Sequence, residues 1–387
     1  MRILHSTSDW LALTKNWIYN QIKFMPEGAS QSIWCDKLIP GPHDEWNREL
    51  FLTKNSLISK IFQGINSRLN QVVFTSKVPF DLSNFDVLFS HFGYRAWHDL
   101  QYVKGLDIKK VVRFYGCDIG YTAHQPNWSK KYELIFDEYD LFLAEGPYMA
   151  SELVRIGVPA NKVKCVNLGI DCSNLGKPKQ YIDKFMNPLK ILICGTFAEK
   201  KGIEYALKGI LSFCRSNGMT VNVTFVGDAN PSIPYQVELK KKIIYLVKEM
   251  KEVGGCTGNM LGYVSFERLQ QLMDENLVLI SPSVTASDGD IEGGFPVTLT
   301  YGASRGMILI GSTHCDLPEI VKHGYNGFVV KERDYLAIAD CLEKIVQMSP
   351  EKLNIMSKNS IKHVKNHFNA IETSDKVYRL INEIIEK

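Results

Sequence analysis

Ile191-Leu192-Ile193-Cys194-Gly195-Thr196-Phe197-Ala198-Glu199-Lys200-Lys201-Gly202 decides the fold of this chain. Four apolar residues end at a glycine, and the chain then turns through charged residues into the amphipathic stretch 202–215. This is the pattern of a β-strand feeding an α-helix, the repeating unit of parallel sheets. Working outward, residues 221–226, 277–281, 307–310 and 328–330 read as further strands, with helices at 233–252, 266–273 and 297–305. Towards the N-terminus a second series appears, with strands at 3–5, 32–35, 87–89, 111–114, 141–144 and 163–166 and helices at 14–25, 95–104 and 147–156. Gly169, Gly176, Pro178 and Pro188 interrupt the pattern between the two series and mark a linker. After Asp334 the chain reads as helices only, at 335–348, 352–367 and 371–385.

Composition agrees with two α/β domains. The 387 residues are 45% hydrophobic and 22% charged, enough for two domains that each bury a core. A net charge of +3 is too small for a phosphate-neutralising surface, so no nucleic-acid partner is expected. The excess lies in the first half: residues 1–185 carry 22 basic and 19 acidic side chains, residues 186–387 carry 23 of each. The nine cysteines are scattered without a C-x-x-C pair, which fits a reducing compartment and no zinc site. No apolar run reaches the ~18–20 residues of a membrane span, and MRILHSTSDW is no signal core. A cytoplasmic protein is expected, with room for peripheral contact at the cytoplasmic face of the inner membrane.

In open parallel sheets ligands bind beyond the carboxyl ends of strands. Three such loops stand out in the second half. Gly195–Gly202 offers free N–H groups and lysines to an anion, with a solvated charged turn as the plain alternative. Val226-Gly227-Asp228 places a glycine where backbone can approach a ligand, or merely turns. The densest is Ser281-Pro282-Ser283-Val284-Thr285-Ala286-Ser287-Asp288-Gly289-Asp290-Ile291-Glu292-Gly293-Gly294-Phe295-Pro296-Val297-Thr298-Leu299. Asp288 and Asp290 suit capping, and their D-x-D spacing is too short a signal to assign a metal. Glu292 beside two glycines exceeds what capping needs, because a carboxylate accepts two sugar hydroxyls at once.

The runs ICGTFAEKKGIEYAL, VGDANP, SPSVTASDGDIEGGFPVTLTYGASRG and HCDLPEIVKHGYNGFVV resemble the donor-binding half of family 4 retaining glycosyltransferases of the GT-B fold. VVRFYGCDIGY and LFLAEGPYMASELVRIGVPANKVKCVNLGID are similar to a bacterial branch working on surface polysaccharides of the colanic acid, capsule or O-antigen type. The resemblance implies two facing Rossmann-like domains: an acceptor-binding domain at 1–178, a nucleotide-sugar-binding domain at 179–365, and a C-terminal helix, 366–387, packing back on the first. It implies Lys201 on the donor diphosphate and Glu292 on the transferred sugar as the catalytic pair. Gly195, Thr196, Gly202, Gly227, Asp228, Gly293, Gly294, Phe295, Pro296, Val297 and Tyr301 would line the donor site. Two of these depart from the family: Tyr301 stands where a second glutamate holds the ribose, and Thr196 where an arginine partners the lysine. Weaker donor binding or an altered nucleotide preference is therefore expected.

On the acceptor side, strand ends nominate His91, Arg113, Tyr115, Asp118 and Glu145, with His5, Ser6 and Thr7 after the first strand. A lone histidine such as His91 is more often a satisfied structural residue. Among Trp10, Trp17, Trp34, Trp46, Trp97 and Trp128, most should pack and some stack on sugars. Lys104, Lys109, Lys110, Lys130 and Lys131 are candidates for a membrane contact. The expected partners are a nucleotide-sugar and a saccharide or lipid-linked saccharide; no cofactor and no essential divalent metal are expected. The competing readings are a weakly active nucleotide-sugar-binding subunit and a nucleotide-sugar 2-epimerase.

Overall fold

Val87-Leu88-Phe89 shows how the first sheet is made: Val87 and Phe89 enter one core, Leu88 the core on the opposite face. Ile3 and Leu4 divide in the same way. A strand covered on both faces reads as a continuous apolar run, which is why these segments stand out in the sequence. The computed structural model describes residues 1–11, 16–39, 48–53, 56–78, 80–179, 185–253 and 256–387. Trp46 lies outside the described residues.

The chain divides into two units, Met1–Asp171 with Asn369–Lys387, and Cys172–Phe368. The first boundary falls before the expected 178, because the chain attaches to the second unit early. Gly176 N–H donates to Ser304 O at 2.9 Å, and Lys179 Nζ to Met273 O at 2.7 Å.

The first unit holds β1 (Arg2–Trp10), β2 (Ser30–Leu38), β3 (Leu50–Leu52), β4 (Val87–His91), β5 (Lys109–Arg113), β6 (Leu141–Ala144) and β7 (Val163–Cys165). They form one parallel sheet ordered β3-β2-β1-β4-β5-β6-β7. The C-terminal helix Ala370–Ile385 belongs to this unit and adds Val377 and Ile381 to the core around Ile3 and Phe89. It is held close at its start, where Ala370 N–H donates to Ile170 O at 2.9 Å.

The second unit holds β8 (Leu189–Cys194), β9 (Val221–Val226), β10 (Thr257–Met260), β11 (Val278–Ser281), β12 (Ile308–Ser312) and β13 (Gly327–Val330). All are parallel, ordered β10-β9-β8-β11-β12-β13. Its core runs from Ile191, Ile193 and Phe225 to Ile280, Ile308 and Ile310, with the helix Ile203–Asn217 supplying Leu207 and Ile210. In each sheet the strand order reverses once, between β1 and β4 and between β8 and β11. Crevices at such reversals are where open α/β sheets take ligands.

Among the elements not foreseen are β3, β10 and the helices Leu57–Leu69 and Trp128–Glu138. β10 reads Thr-Gly-Asn-Met on a sheet edge, with no apolar run to betray it. The helix Leu57–Leu69 buries only Ser59 and Asn66 and turns Leu57, Ile58, Ile61 and Leu69 outward, so its apolar pattern does not mark a core face. β1 is longer than the sequence suggests, so His5, Ser6 and Thr7 lie inside the strand and not after it.

Candidate functional site

The β8/β11 crevice is built from two loops of the second unit. After β8 the chain passes Gly195-Thr196-Phe197-Ala198, makes a 3₁₀ turn at Glu199–Lys201 and enters the helix Ile203–Asn217 through Gly202 at φ 65°. A Cβ on Gly202 would lie 2.0 Å from Pro282 O, so the two loops touch only because this residue is glycine. Gly227, at φ 111°, closes equally tightly on Gly195 O, 2.2 Å from where its Cβ would stand.

These contacts lay Lys200 and Lys201 against the acidic loop after β11. Lys201 Nζ lies 2.9 Å from each carboxylate oxygen of Glu292. Lys200 Nζ pairs with Asp290 at 3.0 Å and donates to Ile291 O at 3.2 Å. Adjacent lysines thus meet acids spaced two apart on an extended loop. The Glu292 side chain is 7% exposed, and Ser283 Oγ donates to its Oε1 at 3.2 Å. Burial by itself pushes the Glu292 carboxyl up, but Lys201 and then Lys200 outweigh it and hold the group below its ordinary range. The other acids have local tasks: Asp288 accepts from Asp290 N–H at 3.0 Å, and Glu199 accepts from Ser287 N–H and Oγ at 3.0 and 2.6 Å. Among the described residues no group of three or more His, Cys, Asp or Glu side chains is placed to hold a metal ion.

Two residues missed by the sequence reading fix Glu292. Its backbone N–H donates to His314 Nε2 at 3.1 Å, which makes that nitrogen the acceptor and leaves the proton on Nδ1. Nδ1 faces Glu332 Oε1 at 2.7 Å, and the second oxygen of Glu332 accepts from Thr285 N–H at 2.8 Å. The neighbouring Cys315 has φ 45°, a left-handed conformation unusual for cysteine, and Asp316 N–H donates to Gly294 O at 3.1 Å. The motif HCDLPEI therefore braces the Glu292-Gly293-Gly294 turn. Thr298, on the first turn of the helix Val297–Ser304, keeps a buried Oγ1 with no hydrogen-bond partner among the described residues, beside Pro296 at the N-cap.

The remaining donor-side candidates are placed as follows. Thr196 Oγ1 is 3.3 Å from Tyr263 OH. Asp228 is tied to Lys240 at 2.7 Å, and that contact holds its carboxyl below the usual range. Gly293, at φ 76°, Gly294, Phe295, Pro296 and Val297 follow Glu292 around the turn, with the Phe295 ring edge-on to Phe368. Tyr301 stands one turn further along the helix, its ring edge-on to Phe266 at 4.8 Å.

The five acceptor-side candidates are all buried, and several hold one another. Asp118 clamps two loops, accepting from Gly93 N–H at 2.9 Å and Tyr115 N–H at 3.0 Å, while burial raises its carboxyl to about 6. His91 lies between His5 at 3.1 Å and Tyr115 OH at 2.6 Å. Arg113 donates to Gln21 at 2.7 Å and to Val166 O, and Glu145 is buried at the start of the β6–α loop. His5 and Ser6 are buried with them. The lysines nominated for a membrane also divide: Lys110 and Lys131 are buried, and Lys131 Nζ sits over the Trp128 ring at 4.8 Å.

Residues 178–363 match the family model of glycosyl transferases group 1. The chain is 27% identical to the amylovoran biosynthesis glycosyltransferase AmsK of Erwinia amylovora, over 82% of this chain and 74% of that one. It is 26% identical to the putative colanic acid biosynthesis glycosyltransferase WcaL of Escherichia coli K12, over 73% and 67%. The fold is similar to that of Anabaena Alr3699/HepE, determined in complex with UDP and glucose, with a TM-score of 0.74, 15% identity and coverage of 98% and 99%.

Proposed function

We infer that this chain, whose residues 178–363 match the model of glycosyl transferases group 1 and whose two parallel sheets have the fold of GT-B proteins, is an enzyme of bacterial surface-polysaccharide assembly. It moves a hexose from a nucleotide-sugar to a saccharide with retention of anomeric configuration. The observation that carries this reading is the Lys201–Glu292 pair in the β8/β11 crevice, beside two helix starts. Helix N-termini and an ammonium suit a diphosphate leaving group, and the carboxylate suits sugar hydroxyls. Lys201 offsets the charge that develops on the departing diphosphate, while Glu292 and the glycine turn orient the sugar. The chain brings its own positive charge to this site, so no divalent metal is required and chelation leaves turnover unchanged. The names of the relatives favour transfer over epimerisation or binding alone.

A hydrolysis screen across nucleoside-diphosphate sugars tests the reading, because slow leakage to water reports the donor without the acceptor. Release of one nucleoside diphosphate, abolished in Lys201→Ala, supports it; sugar epimerisation without release, or no turnover of any donor, refutes it. With Thr196 and Tyr301 in place of ionic contacts, calorimetric titration should give weak binding of UDP or a preference for another base.

A lipid-linked acceptor is favoured by the helix Leu57–Leu69 and the turn after it. Leu57, Ile58, Ile61, Leu69, Val73 and Phe74 are 40% to 76% exposed there, and the stretch 56–78 carries exposed Lys60, Arg68 and Lys77 with no acid. Asn66 stiffens it, its amide bonding Phe74 O at 2.7 Å and Val73 N–H at 3.0 Å. Apolar residues flanked by cations suit the surface of an anionic membrane. Sedimentation with phosphatidylglycerol vesicles should capture the protein at low salt, and Ile58→Glu with Ile61→Glu should release it; equal capture of the variant would exclude this helix.

A further inference from the structure

The reversal of strand order in the first sheet, between β1 and β4, also carries a cleft. Its volume is about 410 Å³, within the ~300–1,000 Å³ of small-molecule sites. Ser8 of β1 and Asp36 of β2 stand side by side at the carboxyl ends of their strands, as the register Thr7–Cys35 and Asp9–Lys37 requires. Tyr94 and Arg95 enter from the start of the helix Gly93–Val103, and Tyr121 and Trp128 from the segment after β5.

The floor of this cleft is built to hold one carboxylate outward. Arg95 is 1% exposed, with Nε donating to Ser6 Oγ at 2.7 Å and lying 3.0 Å from Asp99, and Nη1 donating to Asp36 at 2.7 Å. Its Nη2 is buried and finds no partner among the described residues. Asp36 keeps 42% of its side chain exposed. Burial raises the Asp36 carboxyl, but Arg95 outweighs it, so the exposed group is an anion at neutral pH. The aromatic walls are fixed as well: Tyr94 stacks on Phe92 at 5.0 Å, and Trp128 is held between Lys131 and an edge-on Tyr132 at 5.5 Å. The chain accepts φ 83° at Phe92 to make this corner, a left-handed conformation strained for a bulky side chain that persists where neighbouring structure enforces it.

We propose that this cleft is a saccharide subsite that takes an uncharged pyranose ring of the acceptor. Asp36 accepts a pair of ring hydroxyls, and Trp128, Tyr94 and Tyr121 cover the ring's apolar faces. One guanidinium shared between the two carboxylates Asp36 and Asp99, with the His98 imidazole 3.5 Å from Asp99, gives the floor more carboxylates than permanent cations. Uronic acids, acidic substituents and a diphosphate are therefore disfavoured in this cleft, and the charged part of any carrier lies elsewhere. The inference rests on the reading of the protein as a glycosyltransferase whose first unit receives the acceptor.

The test is direct binding, independent of turnover. Saturation-transfer NMR on the full chain would use methyl α-D-glucopyranoside, methyl α-D-galactopyranoside and sodium glucuronate as probes. The expected result is transfer to at least one neutral glycoside and none to glucuronate. Asp36→Ala and Trp128→Ala should each weaken that binding by about tenfold, the worth of one charged hydrogen bond or one stacking contact. Glu292→Gln should not change it, which separates this cleft from the donor crevice. Asp36→Asn keeps an acceptor for Arg95 and serves if the alanine variant does not fold. Unchanged binding in a folded Asp36 or Trp128 variant, equal binding of glucuronate, loss confined to Glu292→Gln, or no binding of any neutral probe overturns the proposal. The glycosyltransferase reading fails on a different result, an intact protein that turns over no nucleotide-sugar.

Discussion

Lys201 and Glu292 lie 91 residues apart, yet the ammonium sits between both carboxylate oxygens. Replacing either leaves its partner partly buried without a counter-charge, so Lys201→Ala and Glu292→Gln are expected to cost stability as well as activity. Turnover should fall by about 10²-fold or more in each, read as donor release per minute on protein whose melting has been checked. A near-normal rate in either would remove that residue from the mechanism. At the other end of the chain, burial lowers His5 from its ordinary 6.5 to about 3, with the Gln31 contact opposing. A group held neutral in this way contributes stability that is complete above about pH 6.5 and is lost as pH falls towards 3. The unfolding free energy should drop through that window by up to about 1.4 kcal/mol per pH unit from this group, lowering the melting temperature with it, and His5→Gln should flatten the slope. Identical acid limbs in both proteins would show that another group governs it. The type and order of residues around Lys201 and Glu292 were legible in the sequence; the pairing of Lys200 with Asp290 and the brace from His314 and Glu332 were not. A partner 18 to 90 residues away leaves no local signature.

At the level of elements, the β8–turn–helix unit was readable because three local signals coincide: an apolar run, a glycine and an amphipathic stretch. Gly202 is the position where this unit meets the loop after β11. Gly202→Ala would carry both a left-handed backbone and a Cβ 2.0 Å from Pro282 O, so a loss of about 2–4 kcal/mol is expected in urea unfolding, with weaker nucleotide binding. A stability within 0.5 kcal/mol or so of the parent would mean that the loops part freely. Elements escaped the sequence reading where apolar residues face outward, as in Leu57–Leu69, or where a strand is short and polar, as in β10. Periodicity reports which side chains are apolar. It does not report which face the rest of the molecule covers.

For the whole molecule, the C-terminal helix is the element farthest in sequence from the core it completes. Ending the chain at Phe368 would remove Val377 and Ile381 from the core of the first unit, each worth about 1.5–3 kcal/mol of burial. Calorimetry of that truncation should show the transition of the first unit lowered and that of Cys172–Phe368 little changed; an unaltered profile would mean the helix is dispensable. The sequence by itself determined the two α/β series, the position of the candidate loops after β8 and β11 and the family they resemble, because strand and helix periods and turn glycines are local properties of the backbone. Only the tertiary structure decided which acids are paired, that His91, Arg113, Tyr115, Asp118 and Glu145 are buried and that Asp36 is held outward. Burial, counter-charge and hydrogen-bond partners are set by what the chain brings alongside from a distance, and no spacing within a segment encodes them.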